Sequence, residues 1–152
     1  MTHQNLFIGI DLGATKISTA LVDAAGKIIA QDYRETRAAE GQKAVIERMV
    51  HAAHRVMGEA GIAPSQVTAV GVCSPGPIDV RTGVVTAPPN LPGWKNVPLK
   101  QLIEEALGIT TFMENDANAA ALGEYRFGAG RGVQNMIYVT VSTGIGGGLI
   151  LN

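Results

Sequence analysis

Residues 7–16 read FIGIDLGATK, and this stretch gives the clearest sign of how the chain folds. The apolar run that ends at Ile10 predicts a β-strand, and the Gly-Ala-Thr segment after it predicts a tight turn. The pattern then predicts a second strand from Lys16 to Val22, a turn at residues 23–26 and a third strand from Lys27 to Tyr33. Three consecutive strands joined by short turns form an antiparallel meander, so the chain begins with a β-sheet.

A similar pattern returns near the other end of the chain, where residues 137–146 read IYVTVSTGIG. Glycine lets a ligand approach the backbone, and turn N–H groups with threonine hydroxyls can bind one anion. Two opposed turns of this kind could hold a polyphosphate from both sides; the alternative is a pair of ordinary hairpin turns. Asp11 is a candidate to hold hydrated Mg²⁺. The candidate phosphate ligands are Gly13, Thr15, Lys16, Thr143, Gly144 and Gly146.

Helical and strand patterns alternate between the two hairpins. Apolar residues from Gln42 to Ala60 follow the period of an amphipathic helix, with Gly61 as its C-terminal cap. The apolar run Val67 to Cys73 predicts a strand buried on both faces, and a helix that returns the chain to the sheet predicts an α/β fold. The remaining predictions are a functional loop (Ser74–Pro98), helices (Pro98–Leu107 and Asn115–Phe127) and strands (Thr110–Met113, Asn135–Val141 and Leu149–Leu151).

The composition limits the classes of function. The chain has 152 residues, of which 46% are hydrophobic, so it can bury a core. A formal net charge of −1 gives no electrostatic reason to expect nucleic acid or an anionic membrane as the main partner. No apolar run approaches the ~20 residues that span a bilayer, and the N-terminus does not resemble a signal peptide. The single cysteine, Cys73, excludes an internal disulfide, and we expect a cytoplasmic protein.

Five ordered blocks resemble one protein family, namely residues 11–16, 74–77, 90–94, 114–124 and 140–148. The paired hairpins are similar to those of the superfamily of sugar kinases, actin and heat-shock chaperone ATPases. Within it, the blocks resemble the ROK family (repressors, open reading frames, kinases), and most of all its bacterial glucokinases. The resemblance implies a ribonuclease-H-like lobe with a mixed sheet and helices at residues 1–128, followed by the first hairpin of a second lobe at residues 129–152.

The resemblance also implies an ATP-dependent hexose kinase that transfers the γ-phosphoryl group of ATP to the sugar 6-hydroxyl. Such a transfer needs a base that accepts the hydroxyl proton. Asp116 lies at the junction of a predicted strand and a predicted helix, and the N-terminus of the helix favours a charged carboxylate. By resemblance Asp116 is the general base and Asn115 binds the sugar. Taken alone, the Asn-Asp pair would indicate an N-terminal helix cap.

Two further residues are implied as sugar ligands. Asn90 begins an Asn-Leu-Pro-Gly-Trp run, and its amide can both donate and accept hydrogen bonds. Gly76 could bring backbone close to the sugar. The alternatives are an ordinary turn residue for Asn90 and a simple Pro-Gly-Pro turn for Gly76. Glucose is favoured over other hexoses by the resemblance alone.

The chain departs from the family in what it lacks. The Cys/His zinc motif of the family has no counterpart here, since Cys73 lies far upstream of its place. We also expect no helix-turn-helix like that of the family's repressors, because the first predicted strand begins at Leu6. A catalytically inactive sugar- or nucleotide-sensing fragment remains an alternative, as does, more weakly, an actin-like structural ATPase. We also expect a homodimer or another homo-oligomer. For residues 1–152 alone we expect self-association or disorder at the C-terminal end, because no later element covers the apolar residues of the last hairpin.

Overall fold

The computed structural model describes residues 5–141 and 145–152, and it contains nine strands and three α-helices within these ranges. In chain order the elements are β1 (Leu6–Leu12), β2 (Lys16–Asp23), β3 (Ile28–Glu35), α1 (Gln42–Ala60), β4 (Val67–Ser74), β5 (Ile78–Asp79), β6 (Val84–Val85), α2 (Leu99–Leu107), β7 (Thr111–Asn115), α3 (Asp116–Phe127), β8 (Met136–Val141) and β9 (Ile145–Ile150).

Five of the strands form one mixed sheet in the order β3-β2-β1-β4-β7. Strands β1, β2 and β3 pair antiparallel, which confirms the predicted meander. Strand β4 joins β1 in parallel and β7 joins β4 in parallel, so the chain returns to the sheet through α1 and again through α2. The predicted α/β class is therefore confirmed, and most predicted element bounds agree with the structure to within one or two residues.

One face of the sheet carries the main core. Leu6, Ile8, Ile10 and Leu12 alternate along β1 and are buried, as strand geometry requires for residues that share a face. Helices α1 and α2 pack on this face, and α1 buries Val45, Met49, Ala52, Ala53, Val56 and Met57. No helix within the described ranges is long and apolar enough to cross a membrane.

Strand β4 corrects one prediction, because it is buried on one face only. Val70 and Val72 are buried against the core, whereas Gly71 between them is exposed. The run Val67 to Cys73 looked continuously apolar because glycine and alanine occupy the open face, where they do not interrupt the pattern.

Helix α3 crosses this second face of the sheet. It begins beside the end of β7, and at its other end the ring of Phe127 lies 2.7 Å from where a Cβ on Gly26 would stand, in the turn between β2 and β3. A groove of about 700 Å³ remains between α3 and the sheet. Its walls include Asp11 and Glu114 at one end and the exposed rings of Phe112 and Phe127 elsewhere.

The segment between β4 and α2 is a long loop, as predicted, with two short strands inside it. Strands β5 and β6 pair antiparallel, and Val85 forms an isolated bridge with Val97. Leu91, Trp94 and Val97 are buried in the main core. These three side chains anchor the loop, so it is a packed part of the lobe.

Strands β8 and β9 form a separate two-stranded sheet that packs on α3. Strand β9 begins at Ile145, so the prediction of a strand starting only at Leu149 is wrong. Glycines 146–148 are strand residues here, because the missing side chains let β9 lie close to α3: a Cβ on Gly148 would stand 2.5 Å from Ala121 Cβ. The division into lobes at residue 128 stays a prediction.

Candidate functional site

The carboxyl ends of the three parallel strands bring the candidate site together. In the strand register, Asp11 on β1 pairs with Cys73 on β4, and Cys73 pairs with Glu114 on β7. One residue farther along, Ser74 pairs with Asn115. Ligands of open α/β sheets bind at this edge, because the loops that leave the strands diverge there. The hairpin turn after Asp11 opens at the same edge.

Asn115 is the N-terminal cap of α3, and Asp116 is the first residue of the helix. The Asn115 Oδ1 accepts hydrogen bonds from the backbone N–H groups of Ala117 at 3.0 Å and Asn118 at 3.4 Å. The sequence allowed Asp116 to be the N-terminal cap, but the structure gives this role to Asn115. Asp116 is exposed, and its Oδ1 accepts from the Ala117 N–H at 2.8 Å. The helix N-terminus stabilises negative charge on this carboxyl group.

Asp11 and Asp116 interact electrostatically. Partial burial by surrounding atoms raises the pKa of the Asp11 carboxyl, and the charge of Asp116 raises it further, although a hydrogen bond from Cys73 and the charge of Lys16 lower it. The Cys73 Sγ lies 3.5 Å from Asp11 Oδ1. Burial raises the pKa of the Cys73 thiol, and the two carboxylates raise it further. No pattern in the sequence predicts the contact between Cys73 and Asp11.

The turn from Gly13 to Lys16 closes tightly. The Gly13 N–H donates to the Lys16 carbonyl at 3.0 Å, and a Cβ on Gly13 would stand 2.9 Å from that oxygen. The turn itself therefore requires glycine, whatever binds there. Thr15 and Lys16 are exposed, and the Lys16 Nζ lies 5.8 Å from the centre of the Tyr33 ring. Within the described residues, the N–H groups of Ala14 and Thr15 have no hydrogen-bond partner.

The structure brings one of the two further sugar-ligand candidates to this edge. A Cβ on Gly76 would lie 3.6 Å from the Asn115 Nδ2, so the Gly76 backbone faces the donor end of the Asn115 amide. Asn90 lies in the loop before Leu91 and is exposed. Among residues 5–141 and 145–152, its side chain has no hydrogen-bond partner.

The second hairpin contributes one described candidate residue. Thr143 and Gly144 lie outside the described residues. Gly146 is on β9, and a Cβ there would stand 3.2 Å from Ala117 Cβ and 3.0 Å from Thr140 Cγ2. Glycine at 146 is therefore explained by close packing against the first turn of α3, the turn that also carries Asp116.

Comparison with known proteins identifies the relatives of this chain. Residues 7–152 match the ROK family. The glucokinase of Thermotoga maritima is 43% identical over 144 residues, 94% of this chain and 44% of the relative. The xylose repressor of Bacillus subtilis is 37% identical over 147 residues, 95% of this chain and 37% of the repressor. A crystal structure of a ROK family glucokinase from Streptomyces griseus in complex with glucose and AMPPNP matches with a TM-score of 0.86 and 37% identity, over 97% of this chain and 45% of that one.

The mixed sheet and the matching structures define a lobe of the actin-like ATPase fold that sugar kinases share. The chain belongs to the ROK family. It spans less than half the length of the curated relatives it matches, since it covers 44% of the glucokinase and 37% of the repressor.

Proposed function

We propose that this chain is the N-terminal part of an ATP-dependent hexose kinase that phosphorylates the sugar 6-hydroxyl. The observation that carries the proposal is the meeting of Asp11, Asn115, Asp116 and Gly76 at the carboxyl edge of the sheet. Sugar phosphorylation needs a base, a hydroxyl-binding group and a phosphate site within reach of one another. This edge supplies a candidate for each.

Asp116 acts as the general base in this proposal. Its exposed carboxylate accepts the proton of the 6-hydroxyl as the sugar oxygen forms a bond to the γ-phosphorus. The bond between that phosphorus and the bridging oxygen breaks, and ADP leaves with the electron pair. The Ala117 N–H donates to Asp116 Oδ1 and keeps the carboxylate on the first turn of α3. The capping bonds of Asn115 fix its amide, so the Nδ2 is left to donate to a sugar hydroxyl.

The sugar lies, in this proposal, against the Gly76 backbone with Asn90 as a second amide ligand. The Asn90 amide can donate and accept, which suits neighbouring hydroxyl groups, whereas the Asn115 amide donates through Nδ2. Glucose is the proposed hexose because the relatives include glucokinases.

The triphosphate lies at the two hairpin turns, with Gly13, Thr15 and Lys16 on one side and Thr143, Gly144 and Gly146 on the other. The unpartnered N–H groups of Ala14 and Thr15 support this placement, because turn N–H groups bind phosphate oxygens.

Asp11 fits a role as a ligand of hydrated Mg²⁺. Its carboxyl shares the edge with Asp116, and their mutual repulsion is what a divalent cation relieves. No cluster of three or more His, Cys, Asp or Glu side chains within the described ranges could hold a metal alone. The remaining ligands would therefore be water and phosphate oxygens, as is usual for Mg²⁺. When bound, the ion neutralises phosphate charge.

A sugar-sensing protein without catalysis is the second candidate. The 37% identity to a xylose repressor favours it, since that relative is a repressor within the same family. The two candidates differ in one measurable respect: a kinase releases ADP in proportion to sugar, whereas a sensor binds sugar without doing so.

The test is glucose-dependent ADP release by the full-length gene product, compared with its Asp116→Asn variant. We expect kcat to fall by about 10²- to 10⁴-fold with little change in glucose affinity, because the amide keeps the size of the side chain and cannot accept the proton. The control is Glu105→Gln, the same chemical change at an exposed position of α2, which should leave kcat unchanged. Residues 1–152 expressed alone should release no ADP.

Two results would count against the proposal. Glucose binding without ADP release by the full-length product would favour the sensor. Residual kcat of Asp116→Asn within about tenfold of wild type would remove Asp116 from the role of base.

A further inference from the structure

Thr36 joins the first hairpin turn to the rest of the lobe. It follows the last residue of β3 and is fully buried. Its Oγ1 donates to the Gly13 carbonyl at 2.7 Å, and its N–H donates to the Thr15 carbonyl at 2.8 Å. One residue therefore binds the turn at two points, on either side of Ala14.

The same residue is held from the helix side. The Arg48 Nη1 on α1 donates to the Thr36 carbonyl at 2.9 Å, and Arg48 also pairs with Glu40. Directly after Thr36 the backbone passes through Arg37 with φ of 49°, a left-handed conformation that L-residues adopt only when their surroundings enforce it. Arg48 and the backbone conformation at Arg37 thus hold Thr36 in place independently of its bonds to the turn.

These bonds determine where one turn N–H points. The C=O and N–H of a trans peptide unit point in opposite directions, and the peptide between Gly13 and Ala14 is trans. Because the Gly13 carbonyl is directed at the Thr36 hydroxyl, the Ala14 N–H must point away from Thr36. This is one of the two N–H groups of the turn that lack a partner within the described residues.

We propose that Thr36 is a positioning residue for the nucleotide, aiming the Ala14 N–H at a phosphate oxygen, and that Arg48 anchors Thr36 to α1. The inference rests on the proposed function, since it places phosphate at this turn. Thr36 does not touch the nucleotide itself. Its removal should therefore affect nucleotide affinity and leave the sugar side of the site unchanged.

The test compares Thr36→Val, Thr36→Ser and Thr111→Val in the full-length gene product. Valine removes the hydroxyl and serine keeps it. Thr111 is a matched control, because it is also fully buried and its Oγ1 also donates to a backbone carbonyl, that of Ile109 at 3.0 Å, away from the turn. We expect Thr36→Val to raise the KM for ATP by roughly three- to tenfold, the loss typical of one hydrogen bond, with an unchanged KM for glucose. Thr36→Ser and Thr111→Val should stay near wild type.

Amide hydrogen exchange gives a second readout that does not need activity. The Gly13 amide, which donates to the Lys16 carbonyl, should exchange faster in Thr36→Val than in wild type or Thr111→Val.

Unchanged exchange at Gly13 would overturn the claim that the Thr36 hydroxyl holds the turn in place. An equal rise in both KM values, or the same rise in Thr111→Val, overturns the positioning role. If wild type releases no ADP, the proposed function and the nucleotide part of this inference fail together, and exchange alone decides whether Thr36 braces the turn.

Discussion

The two hairpins share a local pattern and differ in what surrounds them. The β1–β2 hairpin lies inside the five-stranded sheet, with β3 and β4 on its two sides, and Thr36 holds its turn. The β8–β9 hairpin stands alone as two strands and packs on α3 with one face. Its other face exposes Ile137, Val139, Val141, Ile145 and Leu149, each more than half accessible.

The difference shows that the local pattern of an apolar strand followed by a glycine-threonine turn does not determine which other elements pack against the hairpin. In the first hairpin, the apolar side chains of Ile8, Ile10, Ile17 and Leu21 are buried in the core on the face that α1 covers. In the second, the glycines of β9 allow close packing on α3, and the apolar side chains on the far face are left uncovered. We therefore expect substitutions on the uncovered face of the second hairpin to change the association of the chain more than substitutions in the first hairpin.

The largest expected effect concerns association through the uncovered face. Ile137 and Leu149 are cross-strand partners, and both are exposed. We expect residues 1–152 to self-associate, and Ile137→Lys with Leu149→Lys to weaken that association at least about tenfold, because uncovered apolar strands seek a partner. Sedimentation velocity over a concentration series measures this. Ile29→Lys on β3, another exposed apolar residue, is the control and should change nothing. A monomeric wild-type chain would contradict the prediction that the exposed apolar face of the β8–β9 hairpin drives self-association.

An intermediate effect concerns strand glycines in the two hairpins. A Cβ on Gly148 would stand 2.5 Å from Ala121 Cβ and 3.1 Å from the Ala117 carbonyl oxygen, whereas a Cβ on Gly9 of β1 has no atom within 4 Å. We expect Gly148→Ala to lower the free energy of unfolding by about 1–3 kcal/mol through overpacking, and Gly9→Ala to change it by less than about 0.5 kcal/mol. Urea unfolding at concentrations where the chain is monomeric measures both. Equal effects of the two substitutions would contradict the packing difference between the hairpins.

The smallest expected effect is electrostatic and lies at the end of the first hairpin. The pKa of Asp11 is raised by partial burial and by Asp116, so the unfolded chain releases the proton at lower pH than the folded chain. The free energy of unfolding therefore falls as pH rises from the unfolded value through the folded one, and this loss persists at neutral pH. Asp11→Asn should match wild type in Tm near pH 3 and exceed it slightly at pH 7. A variant less stable than wild type at pH 7 would mean that the ionised carboxylate stabilises the fold.

Much of the lobe could be predicted from the sequence because its signals are local. The bounds of α1 follow from its apolar period and from Gly61, which caps the helix with φ of 66°. Strand β9 was mispredicted because its three glycines indicate a turn, and only the nearby helix explains them as strand residues. The contact of Thr36 with Gly13 joins positions 23 residues apart, and no period or motif marks it. The proximity of Cys73 to Asp11 depends in the same way on the pairing of β1 with β4.

The pairing of β1 with β4 makes Cys73 a chemical probe of this part of the sheet. Cys73 is the only cysteine of the sequence, and burial with two nearby carboxylates keeps its thiol protonated. Alkylating reagents attack the thiolate, so the raised pKa of the Cys73 thiol should make labelling slower in the folded chain than in the unfolded chain. The labelling rate at Cys73 should therefore increase when the sheet loosens at the edge where the candidate site is assembled.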